Sequence, residues 1–197
     1  MCKCVYCGRF MPKAKGIGYY CSNRKCDKAE DIFKILENNK LTVTIMVGIA
    51  GSGKSTWINK NKGDSVVICL DEIRKIFYGH QFHKNAENYI IGDAKNIARL
   101  MLSQGKSIII DSTATRSFIR EEWRSIANEF NANCKIVYIK VSKETCLKRN
   151  TLRPEGKRVP DDVIERMFVE FQDPIEYNVF YREFSDKQFE VIVVEND

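Results

Sequence analysis

Eight consecutive residues, Gly48-Ile49-Ala50-Gly51-Ser52-Gly53-Lys54-Ser55, meet the pattern G-x-x-x-x-G-K-[ST] at every fixed position. Glycines at 48, 51 and 53 let successive backbone N–H groups curl around a phosphate. A helix opening at Lys54-Ser55-Thr56 adds its positive dipole end. Lys54 then reaches the β- and γ-phosphates of a nucleotide, the Ser52 and Thr56 positions flank them, and the Ser55 hydroxyl ligands Mg²⁺. A glycine-rich turn without a ligand is the bland alternative. The β-branched run before the pattern and the helix start after it argue against that alternative.

Other residues supply the chemistry a bound nucleotide needs. Asp71 and Asp111 each follow an apolar run, so both are expected at strand ends beside the phosphate loop. A carboxylate there can take a proton from an attacking hydroxyl, although Asp71 also suits a helix N-cap over Glu72–Phe77. Arg74, three residues after Asp71, is expected on the same side and can hold a phosphate or the carboxylate. Arg149 and Arg153, four apart, would share one helical face and could clamp a transferring phosphoryl group. A solvated basic face is the competing reading of that cluster.

The N-terminal residues read differently. Cys4-x-x-Cys7-Gly8 and Cys21-x4-Cys26 are two thiolate pairs separated by thirteen residues. Together they fit a tetrahedral structural Zn²⁺ site, with Cys2 able to replace Cys4. The segment holds few large hydrophobes, so a metal is the expected source of its stability. Disulfides or free thiols are the alternative. Met1-Cys2-Lys3-Cys4 begins no apolar leader, so a cytoplasmic, reducing setting is expected. Tyr6, Phe10, Tyr19 and Tyr20 lie among Lys3, Arg9, Lys13, Lys15, Arg24 and Lys25. This mixture suits nucleic-acid stacking or simply a ribbon's small core. His80 and His83 are too few for a second metal site.

The elements that must position these groups follow from periodicity. Apolar runs over 41–47, 65–70, 107–110, 135–141 and 189–194 read as strands buried on both faces of a parallel sheet. Between them, Ala86, Ile90, Ala94, Ile97 and Met101 share a helical face, as do Ile119, Trp123, Ile126 and Phe130, and Val163, Met167, Phe168 and Phe171. The alternation predicts an α/β fold, a P-loop NTPase-type parallel sheet with flanking helices, plus a small N-terminal Cys4 zinc module. The expected organisation is a zinc-ribbon-like module over 1–27, a helical linker over 28–40 and a P-loop domain over 41–197, with a lid at about 143–160.

Composition agrees. The chain has 197 residues, 44% hydrophobic and 29% charged, which excludes wholesale disorder and fibrous classes. The longest apolar run, 42–50, is too short to span a bilayer, so no membrane partner is expected. The net charge is +6, but residues 1–40 carry nine Lys/Arg against four Asp/Glu while the remainder is nearly balanced. The excess therefore belongs to the N-terminal module and points toward an anionic partner.

In order, G-I-A-G-S-G-K-S-T-W, L-D-E-I-R, I-I-I-D-S-T, K-R-N-T-L-R and V-P-D-D-V resemble the phage-type 5′-polynucleotide kinases and their zeta-toxin-like P-loop relatives, over most of residues 42–172. The resemblance implies ATP and Mg²⁺ bound by Lys54 and Ser55, Asp71 as general base, Arg74 on a substrate phosphate, and Arg149 and Arg153 on a lid. Asp111 would support Mg²⁺. The family's D-x-T-N is here Asp111-Ser112-Thr113-Ala114, without the Asn. No D-x-D-G-T phosphatase motif occurs, so a kinase half alone is implied. The expected activity is transfer of the ATP γ-phosphate to a nucleic-acid 5′-hydroxyl, DNA or RNA. The competing readings are a kinase of a small metabolite or nucleotide sugar, and a zinc-containing nucleic-acid-binding protein with a nucleotide-dependent switch.

Overall fold

The computed structural model describes residues 13–14, 18–19, 40–79, 85–177 and 189–197. The chain divides into two units, residues 1–40 and 41–197. In the first, strands β1 (Lys13–Ala14) and β2 (Gly18–Tyr19) pair antiparallel, with Lys13 opposite Tyr19. Cys2, Cys4, Cys7, Cys21 and Cys26, the linker expected before Lys40, and His80 and His83 lie outside the described residues.

The second unit is an α/β layer structure. Five strands, β3 (Thr42–Val47), β4 (Val66–Cys69), β5 (Ile108–Asp111), β6 (Asn133–Lys140) and β7 (Glu190–Glu195), form one sheet in the order β4-β5-β3-β6-β7. Every neighbouring pair is parallel. Parallel neighbours need crossover connections, and helices supply them. These are α1 (Lys54–Asn61), α2 (Leu70–Tyr78), α3 (Glu87–Ser103), α4 (Ser117–Glu129), α5 (Lys143–Thr151) and α6 (Asp161–Val169), with a 3₁₀ turn at Glu155–Lys157.

Burial on both faces explains the apolar runs of β3, β5 and β6, but the run over 189–194 departs from that expectation: β7 is an edge strand and leaves Ile192 and Val193 exposed. Val43, Ile45 and Val47 of β3, with Ile108 and Ile110 of β5, face a core shared with Ala94, Ala98 and Leu102 of α3 and Trp123 and Ile126 of α4. Met46, Ile109, Val137 and Ile139 face the other way, against Ile58 and Trp57 of α1. Alternate residues of one strand serve opposite cores, which the period of two requires. Truncating one such side chain, as in Ile110→Ala, costs about 2–5 kcal/mol.

Element edges depart from the sequence reading in one way that matters. The run expected as strand through Leu70 ends at Cys69, and Leu70 opens α2. Cys69, in extended backbone, occupies the N-cap position. Asp71 therefore lies in the helix's first turn, neither at a strand end nor at the cap. The only fully buried arginine among the described residues is Arg120, on α4. It donates to the carbonyls of Ala114 (3.0 Å) and Thr115 (3.3 Å) and so holds the loop that leaves β5.

Candidate nucleotide and phosphoryl-transfer site

The loop between β3 and α1 is built by close backbone approaches. Gly51, with φ at +88°, faces α5 so closely that a Cβ there would lie 2.7 Å from the Cys146 carbonyl oxygen. Gly53, with φ at +102°, caps α1, and a Cβ there would lie 2.5 Å from Asn196 Nδ2. Both take the left-handed region that favours glycine, and at Gly51 the facing group is backbone, so a side chain is excluded there outright. The Gly48 amide donates to the Thr113 carbonyl at 3.1 Å, tying the loop to the end of β5.

Lys54 Nζ folds back onto the loop, donating to the carbonyls of Gly48 (2.9 Å) and Ile49 (3.1 Å). Burial lowers its pKa from 10.5 to about 8. Asp111 opposes that fall, Arg153 adds to it, and Cys146 and Asp71 oppose it more weakly. Asp111 ends β5, in register with Cys69 of β4. Its pKa is raised by burial, with Lys54 pulling down and Asp71 pushing up. The nearby side chains of Ser55 and Cys69 favour the carboxylate. An anion beside a buried ammonium is the expected way to make both tolerable in a low-dielectric setting.

Asp71 and Arg74 meet on α2, where Arg74 Nη1 donates to Asp71 Oδ1. Arg74 is also gripped from α3: Nε donates to Glu87 Oε1 at 2.8 Å and Nη2 to Glu87 Oε2 at 3.0 Å. The bidentate fork fixes the guanidinium plane and pins α2 to α3. These bonds raise the Arg74 pKa, Glu87 contributing most. Asp71 remains 85% exposed while Arg74 and Glu87 are largely covered. A carboxylate with an open face beside a fixed cation can both meet a solvent-borne acceptor and exchange a proton with water.

The lid side is carried by α5. Ser142 caps it, accepting from the Thr145 amide at 3.3 Å. Asn150 is buried and staples its far end, donating to the Val159 carbonyl (2.7 Å) and accepting from the Val159 amide (3.1 Å). Arg149 lies one turn from the Cys146–Gly51 contact, and its Nη1 is buried with no hydrogen-bond partner among the described residues. A buried donor without a partner is costly unless a ligand completes it.

Ser55 and Asp111 place a hydroxyl and a carboxylate together, hard oxygen donors of the kind Mg²⁺ takes. Among the described residues no group of three or more His, Cys, Asp or Glu could hold a metal on its own. A cavity of about 140 Å³ lies behind the loop, lined by Ile49, Ser52, Tyr138 and Phe168 among others.

Comparison with known proteins gives the family of the domain that carries these residues. Residues 43–174 match the AAA_33 family, described as an AAA domain. The chain belongs to the AAA_33 family. It is 28% identical over 142 residues, 66% of its length and 52% of the relative's, to the L-seryl-tRNA(Sec) kinase of Methanococcus maripaludis. It is 25% identical over 158 residues, 68% of its length and 23% of the relative's, to a bifunctional polynucleotide kinase/RNA ligase of Autographa californica nuclear polyhedrosis virus. The chain thus spans about half of one curated relative and about a quarter of the other. Among solved structures, the Pnkp1/Rnl/Hen1 RNA repair complex superposes with a TM-score of 0.60 at 23% identity, covering 75% of this chain and 47% of that one.

Within the AAA_33 domain the structure brings Gly48, Gly51, Ser52, Gly53, Lys54, Ser55 and Asp111 to one loop mouth. Thr56 lies on the exposed start of α1. One expectation needs correction: Arg149 and Arg153 do not share a helical face. Helix α5 ends at Thr151, and Arg153 lies beyond the Leu152 C-cap, where its carbonyl accepts from Arg158 Nε. The turn before Pro154 forces this, since the residue preceding a proline is driven out of helical backbone. Arg153 nevertheless acts on Lys54 through its charge. Two AAA_33-domain residues were invisible to spacing. Glu87 reaches Arg74 only through the packing of α3 on α2, and its sole local signal is an acid in a first helical turn. Asn150 sits inside the K-R-N-T-L-R run, where its neighbours' charges dominate the reading.

Proposed function

We propose that the chain is an ATP-dependent phosphotransferase moving the γ-phosphate of ATP to the 5′-hydroxyl of a polynucleotide. One observation carries the reading: the glycine-built loop holds the Lys54 ammonium on its own carbonyls and is tied through the Gly48 amide to Thr113 just past β5, with the charges of Asp111, Arg153 and Asp71 near enough to act on that lysine. Lys54 and the loop amides bind and orient the β- and γ-phosphates. Ser55 and Asp111 would hold Mg²⁺, which supplies charge neutralisation on the phosphates. Asp71 takes the hydroxyl proton as the acceptor oxygen bonds to the γ-phosphorus. The bond from that phosphorus to the bridging oxygen breaks and ADP leaves. Asp71 then returns its proton to water through its exposed face. Arg74, oriented by Glu87, contacts the acceptor's own phosphate. Arg149 and Arg153 meet charge on the transferring group.

Two of its relatives bear the names of a seryl-tRNA kinase and a polynucleotide kinase/RNA ligase, which supports a nucleic-acid acceptor. The basic first forty residues support it too. We further infer a structural Zn²⁺ at Cys4, Cys7, Cys21 and Cys26, since β1 and β2 form a hairpin between the two cysteine pairs. The 28% identity to a seryl-tRNA kinase favours one second reading, a seryl hydroxyl carried on tRNA. The test offers labelled ATP to 5′-OH DNA, 5′-OH RNA, seryl-tRNA and a panel of small hydroxyl compounds. Labelled oligonucleotide ends are expected. Label in seryl-tRNA alone selects the second reading, and label only in a small compound defeats both. Metal analysis of the wild type against Cys7→Ser and Cys26→Ser should show stoichiometric zinc lost in both variants; zinc retained by both rejects that ligand set.

A further inference from the structure

The residues that follow β7 take no part in the reaction above, yet they touch both halves of the donor site. Asn196 N donates to the Lys140 carbonyl at 3.1 Å, continuing the β6–β7 ladder by one step. Its side chain turns the other way, and Nδ2 donates to the Ser52 carbonyl at 2.7 Å. In this position the Asn196 side chain also lies against Gly53. The next residue binds the lid. Asp197 Oδ1 accepts from the Ser142 amide at 2.8 Å, at the cap of α5. The Ser142 amide and side chain, and less strongly Thr145 and Arg149, keep that carboxyl ionised below the ordinary carboxylate range.

Two consecutive residues therefore hold the phosphate loop with one side chain and the first turn of α5 with the next. The dipeptide sets the distance from Ser52 to Ser142. The seat of Cys146 on Gly51 sets the helix's second point of contact. With both points fixed, the height of Arg149 over the loop is fixed as well. Cutting either bond removes a polar tether between the loop and the start of α5, whose body stays packed through Cys146 on Ile49, Ala50 and Ile164.

We propose that Asn196 and Asp197 are positioning residues for the donor phosphates, Asn196 setting the loop and Asp197 setting the lid arginine Arg149 against it. The proposal rests on nucleotide binding by the loop and not on the identity of the acceptor, so it is tested without one. The full chain is titrated with Mg²⁺–ADP and Mg²⁺–AMP-PNP by calorimetry, and each variant is melted without nucleotide. Asn196→Ala should weaken both nucleotides alike, by about 3- to 10-fold, the size of one hydrogen bond. Asn196→Asp, which turns an acceptor toward the Ser52 carbonyl, should lose at least as much. Asp197→Ala should weaken AMP-PNP about 3-fold more than ADP, because only the γ-phosphate position needs the lid. That extra loss should vanish in an Arg149→Ala background. Asp197→Asn keeps an acceptor for the Ser142 amide and should retain most of the affinity, so it reports on positioning if the alanine variant melts early. Unchanged affinities in Asn196→Ala and Asp197→Ala would overturn the proposal. So would equal losses of ADP and AMP-PNP in Asp197→Ala, the signature of a merely structural contact.

Discussion

The phosphate loop and the first turn of α2 face the same crevice and are built in opposite ways. In the loop, Gly51 meets the Cys146 backbone at a distance no side chain would allow, Gly53 takes a left-handed backbone, and Lys54 already makes two hydrogen bonds to loop carbonyls. On α2, Asp71 is 85% exposed, and the order around it comes from one arginine held by a residue of another helix. The loop is thus shaped before any ligand arrives, as preorganised electrostatic sites are. The α2 side presents a fixed cation and an open carboxylate whose partner the acceptor must supply. Under the proposed reaction the donor side is common to many kinases, and acceptor choice rests on the open side.

The largest test of that contrast is a pair of substitutions. Lys54→Ala should abolish nucleotide binding and lower transfer by about 10³-fold or more. Asp71→Asn should leave nucleotide affinity and melting temperature near wild type but cut turnover by about 10²-fold. Equal loss of nucleotide affinity in both would erase the division into two sides, and full activity of Asp71→Asn would remove it as the base.

The second test uses pH. Burial holds Lys54 at about 8 when folded, against 10.5 unfolded. Between these values the unfolded chain binds more protons, so stability of the nucleotide-free protein should rise with pH across that window. Below about 8 the cost of the buried ammonium is present in full. A bound anion favours the charged lysine, so AMP-PNP affinity should fall above pH 8, by up to about tenfold per unit. Calorimetry at pH 7, 8 and 9 checks the affinity, and melts of the nucleotide-free protein over the same range check the stability, where the same slope in Lys54→Met would assign it to another group.

The smallest test sharpens the open side. Glu87→Gln removes the charge from the fork on Arg74 and should cost about 1–2 kcal/mol in denaturant melts, as expected for a partly covered pair. Transfer should slow only a few-fold, mostly through the acceptor KM. A double-mutant cycle with Arg74→Ala should be non-additive; additivity would mean that the fork is not what steadies Arg74.

The same contrast explains what could be read in advance. The loop was legible because its chemistry lies in eight adjacent residues whose types have few other uses. The sheet was legible because burial on both faces leaves unbroken apolar runs. Asp71 and Arg74 were legible as a pair by spacing, but Glu87 was not, because thirteen residues and a helix packing separate it from Arg74. Arg153 was placed on a helical face that ends at Thr151, an error of two residues that moved a charge off the helix. Arg120 was missed because a lone arginine in a helix reads as surface, whereas here two loop carbonyls draw it into the core. Asn196 and Asp197 carry no motif at all. Their meaning comes only from where β7 ends.

The seat of α5 on the phosphate loop makes unequal demands on its two partners. At position 51 nothing but hydrogen fits, since the Cys146 carbonyl oxygen would stand 2.7 Å from an added carbon. At position 146 the touching group is a carbonyl, which every amino acid carries. That seat therefore constrains one codon and leaves the facing one open to any residue its own buried side chain allows. Lid helices with different surfaces could be exchanged over the same loop, and a chain of this design can explore new acceptors without disturbing how it holds phosphate.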